Sequence, residues 1–352
     1  LTITAPNSLC RYPFTFALRT GRTCSHLSIL AMISALAPVE ILKGAKLAVD
    51  EYSVKIILTG PKSRIESELK NLGIDSPHLS VVDAPDIIAM NDSPSSSFRS
   101  KKNSSIRVGL NLVKTGEADG FISAGNTGAV MTASLLTFGR INNIERPAIA
   151  TTLPSQEGQF IMTDLGSNVD CKPSHLVQFA LMGNFFAQLH LNVENPKVAL
   201  LNIGEEPEKG NALTQSTYHL LKEESLNFIG NIEGKDVLKG KADVVVCDGF
   251  TGNSLLKFGE GVSEVFFNFF KKEAKRSLLS LLGLLLLKSA LKTFKKRYDH
   301  AEYGGALLLG VKGVTVIAHG SSCQTAIKNA IHTAIEGVEG KIIEKIEKAV
   351  SS

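Results

Sequence analysis

Short apolar runs alternate with longer amphipathic stretches along the chain from about residue 27 onward. Most of the apolar runs are continuous rather than alternating, which is typical of strands covered on both faces. Amphipathic stretches lie between many of them and predict helices. This alternation predicts an α/β fold with an open, mostly parallel sheet and helices on both sides. The predicted strands are residues 27–32, 54–59, 79–82, 120–123, 148–153, 160–164, 198–203, 228–232, 243–248 and 314–318.

One polar segment precedes this pattern, and a second interrupts it. Residues 1–26 contain three arginines and many Ser and Thr, and no acidic residue occurs before Glu40. This composition is typical of an organelle transit peptide. We nevertheless interpret these residues as an atypical leader, which is either disordered or the result of a wrongly assigned start of translation. Residues 91–105 are rich in Ser and predict a long mobile loop. Its Arg99, Lys101 and Lys102 either close over an anion or are ordinary surface cations.

A basic, leucine-rich segment predicts a protruding helical tip at about residues 265–298. Residues 271–297 hold nine Lys and Arg and one acid, Glu273, and the two basic clusters flank a run of leucines. The pattern is typical of a hairpin lying in the headgroup region of an anionic membrane. The alternatives are a helix buried in a dimer interface and a cationic dock for an acidic protein. The predicted contact residues are Lys271, Lys272, Arg276, Leu281, Leu282, Leu285, Lys288 and Lys292.

Composition excludes several classes of protein. The 352 residues are 43% hydrophobic and 20% charged with a net charge of +4, which fits one large or two smaller folded domains and predicts no nucleic-acid binding. Five scattered cysteines without a paired spacing support neither a disulfide framework nor a zinc site, so a reducing cytoplasm is expected. No apolar run is long enough to span a bilayer. The dinucleotide, P-loop and serine-hydrolase motifs are absent from the sequence.

Polar loops follow five of the predicted strands. In an open parallel sheet, ligands bind beyond the carboxyl ends of the strands, so these loops predict one shared active site. Cys171 beside Lys172 has no obvious base near it in sequence, and we interpret it as an unreactive thiol. The five loops read AGNTG from residue 124, DLGSNVDCKP from 164, NIGEEPEKGN from 202, CDGFTGN from 247 and HGSS from 319.

These loops also carry a resemblance to a known family. SAGNTGA, DLGSNVDCKP, LLNIGEEPEKGN, FIGNIEG, KGKADVVVCDGFTGN, EYGGALLLG and AHGSS occur in this order and together resemble the bacterial phosphate acyltransferase (PlsX) family. The resemblance implies a three-layer α/β/α, Rossmann-like fold similar to phosphotransacetylase, with residues 27–352 as the phosphate acyltransferase domain. It also implies a cytoplasmic homodimer that associates peripherally with the inner membrane.

The reaction implied by this resemblance moves a long-chain fatty acyl group from acyl carrier protein to inorganic phosphate. The acyl-phosphate product would pass to a downstream glycerol-phosphate acyltransferase for phospholipid synthesis. Phosphate is already a nucleophile, so the protein must hold it near the thioester, stabilise the developing oxyanion and release the thiol. We expect no cofactor and no metal.

Each polar loop receives a predicted role in that reaction. Lys209 stabilises charge, Asn168 donates to the oxyanion, and His319 protonates the leaving sulfur. Asp164 and Asp248 orient these groups, although a helix N-cap or a loop hydrogen bond would also explain an aspartate there, and His319 is alternatively structural. The predicted substrate-binding residues are Lys172, as a second candidate cation, and, for phosphate, Gly125, Asn126, Thr127, Gly252 and Asn253.

The sequence departs from the family at the end of the first strand. The family pattern there is Asp-x-Met-Gly-Gly-Asp-x-Ala-Pro, whereas residues 30–38 read LAMISALAP and lack both carboxylates and both glycines. Leu30 and Ala35 cannot orient a polar partner, and Ile33 does not adopt the backbone angles open to Gly. Two alternatives to the transferase therefore stay open: a phosphotransacetylase-like enzyme using acyl-CoA, and a catalytically weakened scaffold for membrane and carrier protein.

Overall fold

Eleven strands and twelve α-helices follow one another along the residues described by the computed structural model, which are 27–30, 39–89, 92–274, 276–298, 303–320 and 322–351. The strands are β1 (Leu27–Leu30), β2 (Ile56–Gly60), β3 (Leu79–Asp83), β4 (Gly120–Ser123), β5 (Ala148–Pro154), β6 (Gln159–Thr163), β7 (Val198–Asn202), β8 (Phe228–Glu233), β9 (Val244–Val246), β10 (Ala306–Leu309) and β11 (Val314–Ile317). The helices are α1 (Val39–Tyr52), α2 (Lys62–Asn71), α3 (Pro94–Ser100), α4 (Ser105–Lys114), α5 (Thr127–Phe138), α6 (Pro173–His190), α7 (Ala212–Glu223), α8 (Gly249–Ala274), α9 (Leu278–Leu286), α10 (Lys288–Tyr298), α11 (Gln324–Glu339) and α12 (Ile342–Ser351).

The strands form one sheet whose direction reverses near its middle. Its order is β3-β2-β1-β4-β11-β10-β5-β6-β9-β7-β8. The first five strands are parallel to one another, and so are the last four. Between these groups, β10 is antiparallel to both β11 and β5, and β5 is antiparallel to β6. Three antiparallel pairings make β4 and β11 point opposite to β6, β9 and β7.

Helices cover both faces of the sheet. Successive strand residues belong to different cores, as with Phe121 in one buried cluster and its neighbour Ile122 in the other. Helices α1, α6 and α11 contribute to one cluster, and α4 and α5 contribute to the other. Continuous apolar strands satisfy this arrangement because both of their faces are buried. The predicted three-layer α/β/α architecture with a mostly parallel sheet is confirmed.

The predicted strands are all present, within two residues at each described end. Strand β10 was missed, because a four-residue apolar run after two glycines does not distinguish a strand from a loop. The prediction of a loop over residues 91–105 was wrong: Pro94 occupies the first turn of α3, and α4 begins at Ser105. Lys101 is held by Asp92 at 2.6 Å. Residues 1–26 and 31–38, including most of the altered first loop, lie outside the described residues.

The basic, leucine-rich segment folds as a helical hairpin. Phe294 of α10 packs against Phe266 and Phe267 of α8, with ring centroids 5.5 and 6.1 Å apart, so α10 returns alongside α8 and α9 forms the tip. Five leucines of α9 face solvent in the single chain, and Leu279 is 81% and Leu286 79% exposed. Among the helices in the described ranges, none combines the length and apolar character needed to cross a bilayer.

Candidate functional site

A fully buried carboxylate organises the loop after β6. Asp164 Oδ1 accepts hydrogen bonds from Ile149 N at 3.0 Å, Ser167 N at 3.2 Å and Ser167 Oγ at 2.6 Å. Its Oδ2 accepts from Asn168 N at 2.7 Å and Asn168 Nδ2 at 2.9 Å. Such a carboxylate is stabilised only because donors replace its lost water. The Asp164 loop, residues 164–168, is therefore held in one conformation by its own first residue.

Asn168 connects the Asp164 loop to its neighbours. Besides its bond to Asp164, Nδ2 donates to Pro147 O at 2.7 Å, so both amide hydrogens are committed. The Asn168 carbonyl accepts from Gly249 N at 2.7 Å, which attaches the loop to the start of α8. The structure does not support the predicted donation from Asn168 to an oxyanion, because that side chain has no N–H left to give.

Three other predicted residues lie at the start of α8, and two of them, Gly252 and Asn253, pack against this loop. Asp248 accepts from Thr251 N at 2.9 Å and Thr251 Oγ1 at 2.8 Å, and thus caps the helix. Gly252 lies so close to the Asp164 carbonyl that any side chain there would overlap it, and Asn253 packs against Gly166. Asp248 is therefore the N-cap of α8, which was the alternative explanation for this aspartate, and it also lines a cavity.

That cavity, the Asp248 cavity, has a volume of about 540 Å³ at the carboxyl ends of β7 and β9. Lys209 belongs to the loop that borders it: its carbonyl accepts from Asn202 Nδ2 at 3.0 Å, and its exposed side chain precedes Gly210. The site pairs mostly apolar walls with a few polar groups, as ligand pockets do. Lining residues include Leu176, Leu201, Leu255, Asn202, Thr214 and Asp248.

A second cavity, the basic cavity, has a volume of about 620 Å³ and lies beside the Asp164 loop. It is lined by Arg140, Arg146 and Lys172 together with Glu145 and His175. His175 Nδ1 accepts from the Lys172 backbone N at 3.2 Å, so its proton is on Nε2, 3.1 Å from a Glu145 carboxylate oxygen. Arg140 donates to the Glu145 carbonyl.

Sequence reasoning missed four of these five lining residues; only Lys172 was predicted. Arg140, Glu145 and Arg146 precede β5, whereas the prediction considered only residues that follow strands. Because β5 is antiparallel to β6, the start of β5 lies beside the end of β6, where Asp164 begins its loop. Basic residues before a strand would have been a usable signal only with the strand direction known.

Cys171 lies near both aspartates of the site. Burial, with a smaller contribution from the Asp164 and Asp248 carboxylates, raises the pKa of its thiol to about 11. Burial likewise raises the pKa of the fully buried Cys247 well above its ordinary value. Both thiols are therefore protonated at neutral pH, in agreement with the interpretation of Cys171 as unreactive.

The remaining predicted residues lie at the opposite edge of the sheet. Gly125, Asn126 and Thr127 follow β4, and exposed His319 follows β11. Four strand spacings separate β4 from β6, or about 19 Å at ~4.8 Å per spacing. The prediction that all five loops converge is therefore wrong within one chain, because the antiparallel strands in the middle reverse the sheet. Asn126 caps α5 by accepting from Ala129 N at 3.0 Å.

Comparisons with known proteins agree with the resemblance carried by the loops. A family model described as fatty acid synthesis protein matches residues 25–345. A phosphate acyltransferase of Pelotomaculum thermopropionicum is 47% identical over 326 residues, which cover 93% of this chain and 95% of the relative. A phosphate acyltransferase of Clostridium acetobutylicum is 48% identical over 313 residues, covering 89% and 95%.

Solved structures show the same fold. The EutD phosphotransacetylase from Staphylococcus aureus matches with a TM-score of 0.58 at 17% identity, covering 90% of this chain and 94% of its own. A phosphotransacetylase from Streptococcus pyogenes matches with a TM-score of 0.59 at 17% identity and the same coverage. The expected similarity to the phosphotransacetylase fold is confirmed, and at this identity the likeness extends to the fold alone.

Proposed function

Since this chain belongs to the fatty acid synthesis protein family, we propose that it is a phosphate acyltransferase that moves a long-chain acyl group from acyl carrier protein to inorganic phosphate. The relatives at 47 and 48% identity carry the name phosphate acyltransferase. The observation that carries the proposal is the pair of cavities on the same edge of the sheet, one with mostly apolar walls and one basic. Such a pair suits an acyl thioester and an anionic acceptor.

In the proposed reaction, a phosphate oxygen attacks the thioester carbonyl carbon. The carbonyl electrons move onto oxygen, and the tetrahedral oxyanion then collapses as the carbon–sulfur bond breaks. The products are acyl-phosphate and the carrier thiolate, which takes up the proton released from phosphate. A thiol with a pKa of about 8.5 is a good leaving group, so little acid assistance is needed. The protein's main tasks are positioning and charge stabilisation.

We assign these tasks to residues at the edge where Asp164 lies. Lys209 stabilises the developing oxyanion, because it belongs to the loop between Asn202 and Gly210, two residues that line the Asp248 cavity. Asp164, Asn168 and Asp248 act as positioning residues through the loop and helix that they hold. Gly252 and Asn253 keep the start of α8 close to the Asp164 loop. No step is assigned to residues 125–127 or His319, which lie at the other edge.

A direct assay tests the function and the role of Lys209. With long-chain acyl carrier protein and phosphate, we expect phosphate-dependent thiol release together with hydroxylamine-trappable acyl-phosphate. Lys209→Ala should lower kcat about 100-fold, the usual effect of losing one oxyanion-stabilising group. Lys222→Ala, at an exposed lysine of α7, serves as the matched control and should retain full activity.

Other outcomes of this assay would contradict the proposal. Equal turnover of acyl-CoA would favour a phosphotransacetylase-like enzyme. An intact thioester despite measurable carrier binding would favour the scaffold, and it would direct attention to the altered loop after β1. Equal losses in Lys209→Ala and Lys222→Ala would remove Lys209 from the chemistry.

We also propose that the hairpin attaches the protein to an anionic membrane, where a downstream glycerol-phosphate acyltransferase would receive the product. Lys271, Lys272, Lys288 and Lys292 are exposed near the leucines of α9, which suits a headgroup region. Arg276 is paired with Glu273 at 3.1 Å. The exposed apolar stripe of α8 supports a homodimer built on that helix. Its residues include Phe258, Val262, Val265 and Phe269.

A charge placed on the tip should separate membrane attachment from folding. The double variant Leu282→Glu with Leu285→Glu should weaken co-sedimentation with anionic vesicles about tenfold or more, because two leucines lose their apolar burial. Leu220→Glu, at a 40% exposed leucine of α7, is the control. Unchanged vesicle binding with a lower oligomeric mass would favour a dimer-interface role, and a higher KM for acyl carrier protein alone would favour carrier docking.

A further inference from the structure

We propose that the basic cavity binds inorganic phosphate as the acceptor substrate, with Arg146 and Lys172 as its principal ligands. The inference rests on the proposed function and adds to it the location of one substrate. It replaces the sequence-based prediction that residues 125–127, together with Gly252 and Asn253, bind phosphate, because residues 125–127 lie at the opposite edge of the sheet. It also gives a role to residues before β5 that no strand-end pattern indicated.

The charge of the cavity matches a dianion. Arg140, Arg146 and Lys172 contribute three positive charges, and Glu145 is the one acid among the described lining residues. The ring nitrogens of His175 are already engaged, since Nδ1 accepts a hydrogen bond from the Lys172 backbone N and Nε2 faces Glu145. The net charge is about +2, which complements the dianion of inorganic phosphate better than the single charge of a phosphodiester.

The geometry leaves Arg146 and Lys172 as the groups available to a ligand. Arg140 donates to the Glu145 carbonyl, so part of its guanidinium is already used. Both Arg146 and Lys172 have exposed side chains and line the cavity. A guanidinium can hold two phosphate oxygens at once, while an ammonium acts as a point charge. Lys172 also precedes the first turn of the 18-residue helix α6, whose positive end adds to the field.

The position of the cavity suits the attack on a thioester. Pro147, next to Arg146, accepts from Asn168 of the Asp164 loop at 2.7 Å. At the start of α6, His175 lines the basic cavity, and the next residue, Leu176, lines the Asp248 cavity. The two cavities thus adjoin the same loop and the same helical turn, which would bring an acceptor in one near an acyl group in the other.

Steady-state kinetics with separate variation of the two substrates test this assignment. Arg146→Gln should raise the KM for phosphate about 10- to 30-fold, as expected for losing a charge-assisted contact, and leave the KM for acyl carrier protein within about twofold. Arg146→Lys should raise the KM for phosphate less than Arg146→Gln does, because lysine keeps the positive charge but cannot hold two phosphate oxygens at once as a guanidinium can. Lys172→Gln should behave like Arg146→Gln. Arg64→Gln, at an exposed arginine of α2, is the control.

Binding of inorganic phosphate to the protein without acyl donor separates this inference from the proposed function. By calorimetry, wild-type protein should bind phosphate and Arg146→Gln should bind it about tenfold or more weakly. If that holds while wild-type protein shows no transfer, the site stands and the function fails. If wild-type protein transfers acyl groups but Arg146→Gln has an unchanged KM for phosphate, the site is wrong. A rise confined to the KM for acyl carrier protein would assign the cavity to the carrier's phosphodiester and overturn the proposal.

Discussion

Gly252→Ala should destabilise the protein by roughly 3 kcal/mol or more and remove its activity. A methyl group at residue 252 would overlap the carbonyl oxygen of Asp164 and would lie 2.9 Å from Cys247 Sγ. Relief by movement is blocked because the five hydrogen bonds of the Asp164 carboxylate fix that backbone. Urea unfolding and the acyl-transfer assay would measure the two effects.

Gly259→Ala provides the matched control for Gly252→Ala, because both glycines belong to α8. Residue 259 is exposed, and a methyl group there would meet no atom within 4 Å. An alanine in an exposed helical position stabilises by up to about 1 kcal/mol relative to glycine. Opposite shifts of the unfolding midpoint are therefore expected. Similar shifts in both variants would show that close packing at Gly252 is not what the site requires.

Asp164→Asn should destabilise the fold by about 3–5 kcal/mol and lower kcat. The substitution keeps the size of the side chain but replaces one acceptor oxygen with an NH2 group. That group would face donors, from Ile149 and Ser167 on one side or from Asn168 on the other. Buried donors without an acceptor are strongly unfavourable, more so when the lost acceptor was charged. Chemical unfolding and the transfer assay would measure both effects.

Asp170→Asn tests whether the effect belongs to the Asp164 site. Asp170 is exposed and follows the same loop, so this substitution should leave the free energy of unfolding within about 0.5 kcal/mol. Full stability of Asp164→Asn would show that the carboxylate does not hold the loop. A loss of activity with unchanged stability would instead make Asp164 a group that contacts substrate.

Local sequence patterns predicted the elements well because burial acts on each strand separately. Continuous apolar runs marked ten strands, since strands covered on both faces need apolar side chains at every position. The N-cap formed by Asp248 could also be predicted from the sequence, because its hydrogen-bond partner Thr251 is only three residues away. The direction of each strand could not be predicted in this way, because strand pairing depends on residues far apart in the chain.

The error in strand direction explains both mistakes at the site. The prediction assumed that the five strands followed by polar loops all run in one direction, and it therefore joined residues 125–127 and His319 to Asp164, although they lie at opposite edges. The same assumption hid Arg140 and Arg146, which precede an antiparallel strand. The sequence also could not show that both amide hydrogens of Asn168 are already used in hydrogen bonds, because one acceptor is the Pro147 carbonyl, 21 residues away.

Helix α8 is long, and its first turn is attached to the Asp164 loop. Its 26 residues extend about 39 Å at 1.5 Å per residue. Its first turn is held by the Asp248 cap and by the bond from Gly249 N to Asn168 O. A tilt of about 10° around that end would move the outer end by roughly 7 Å but displace Thr251 by less than about 1 Å. Such a tilt, if imposed by the proposed membrane attachment of the hairpin, would therefore leave the first turn of α8 nearly in place.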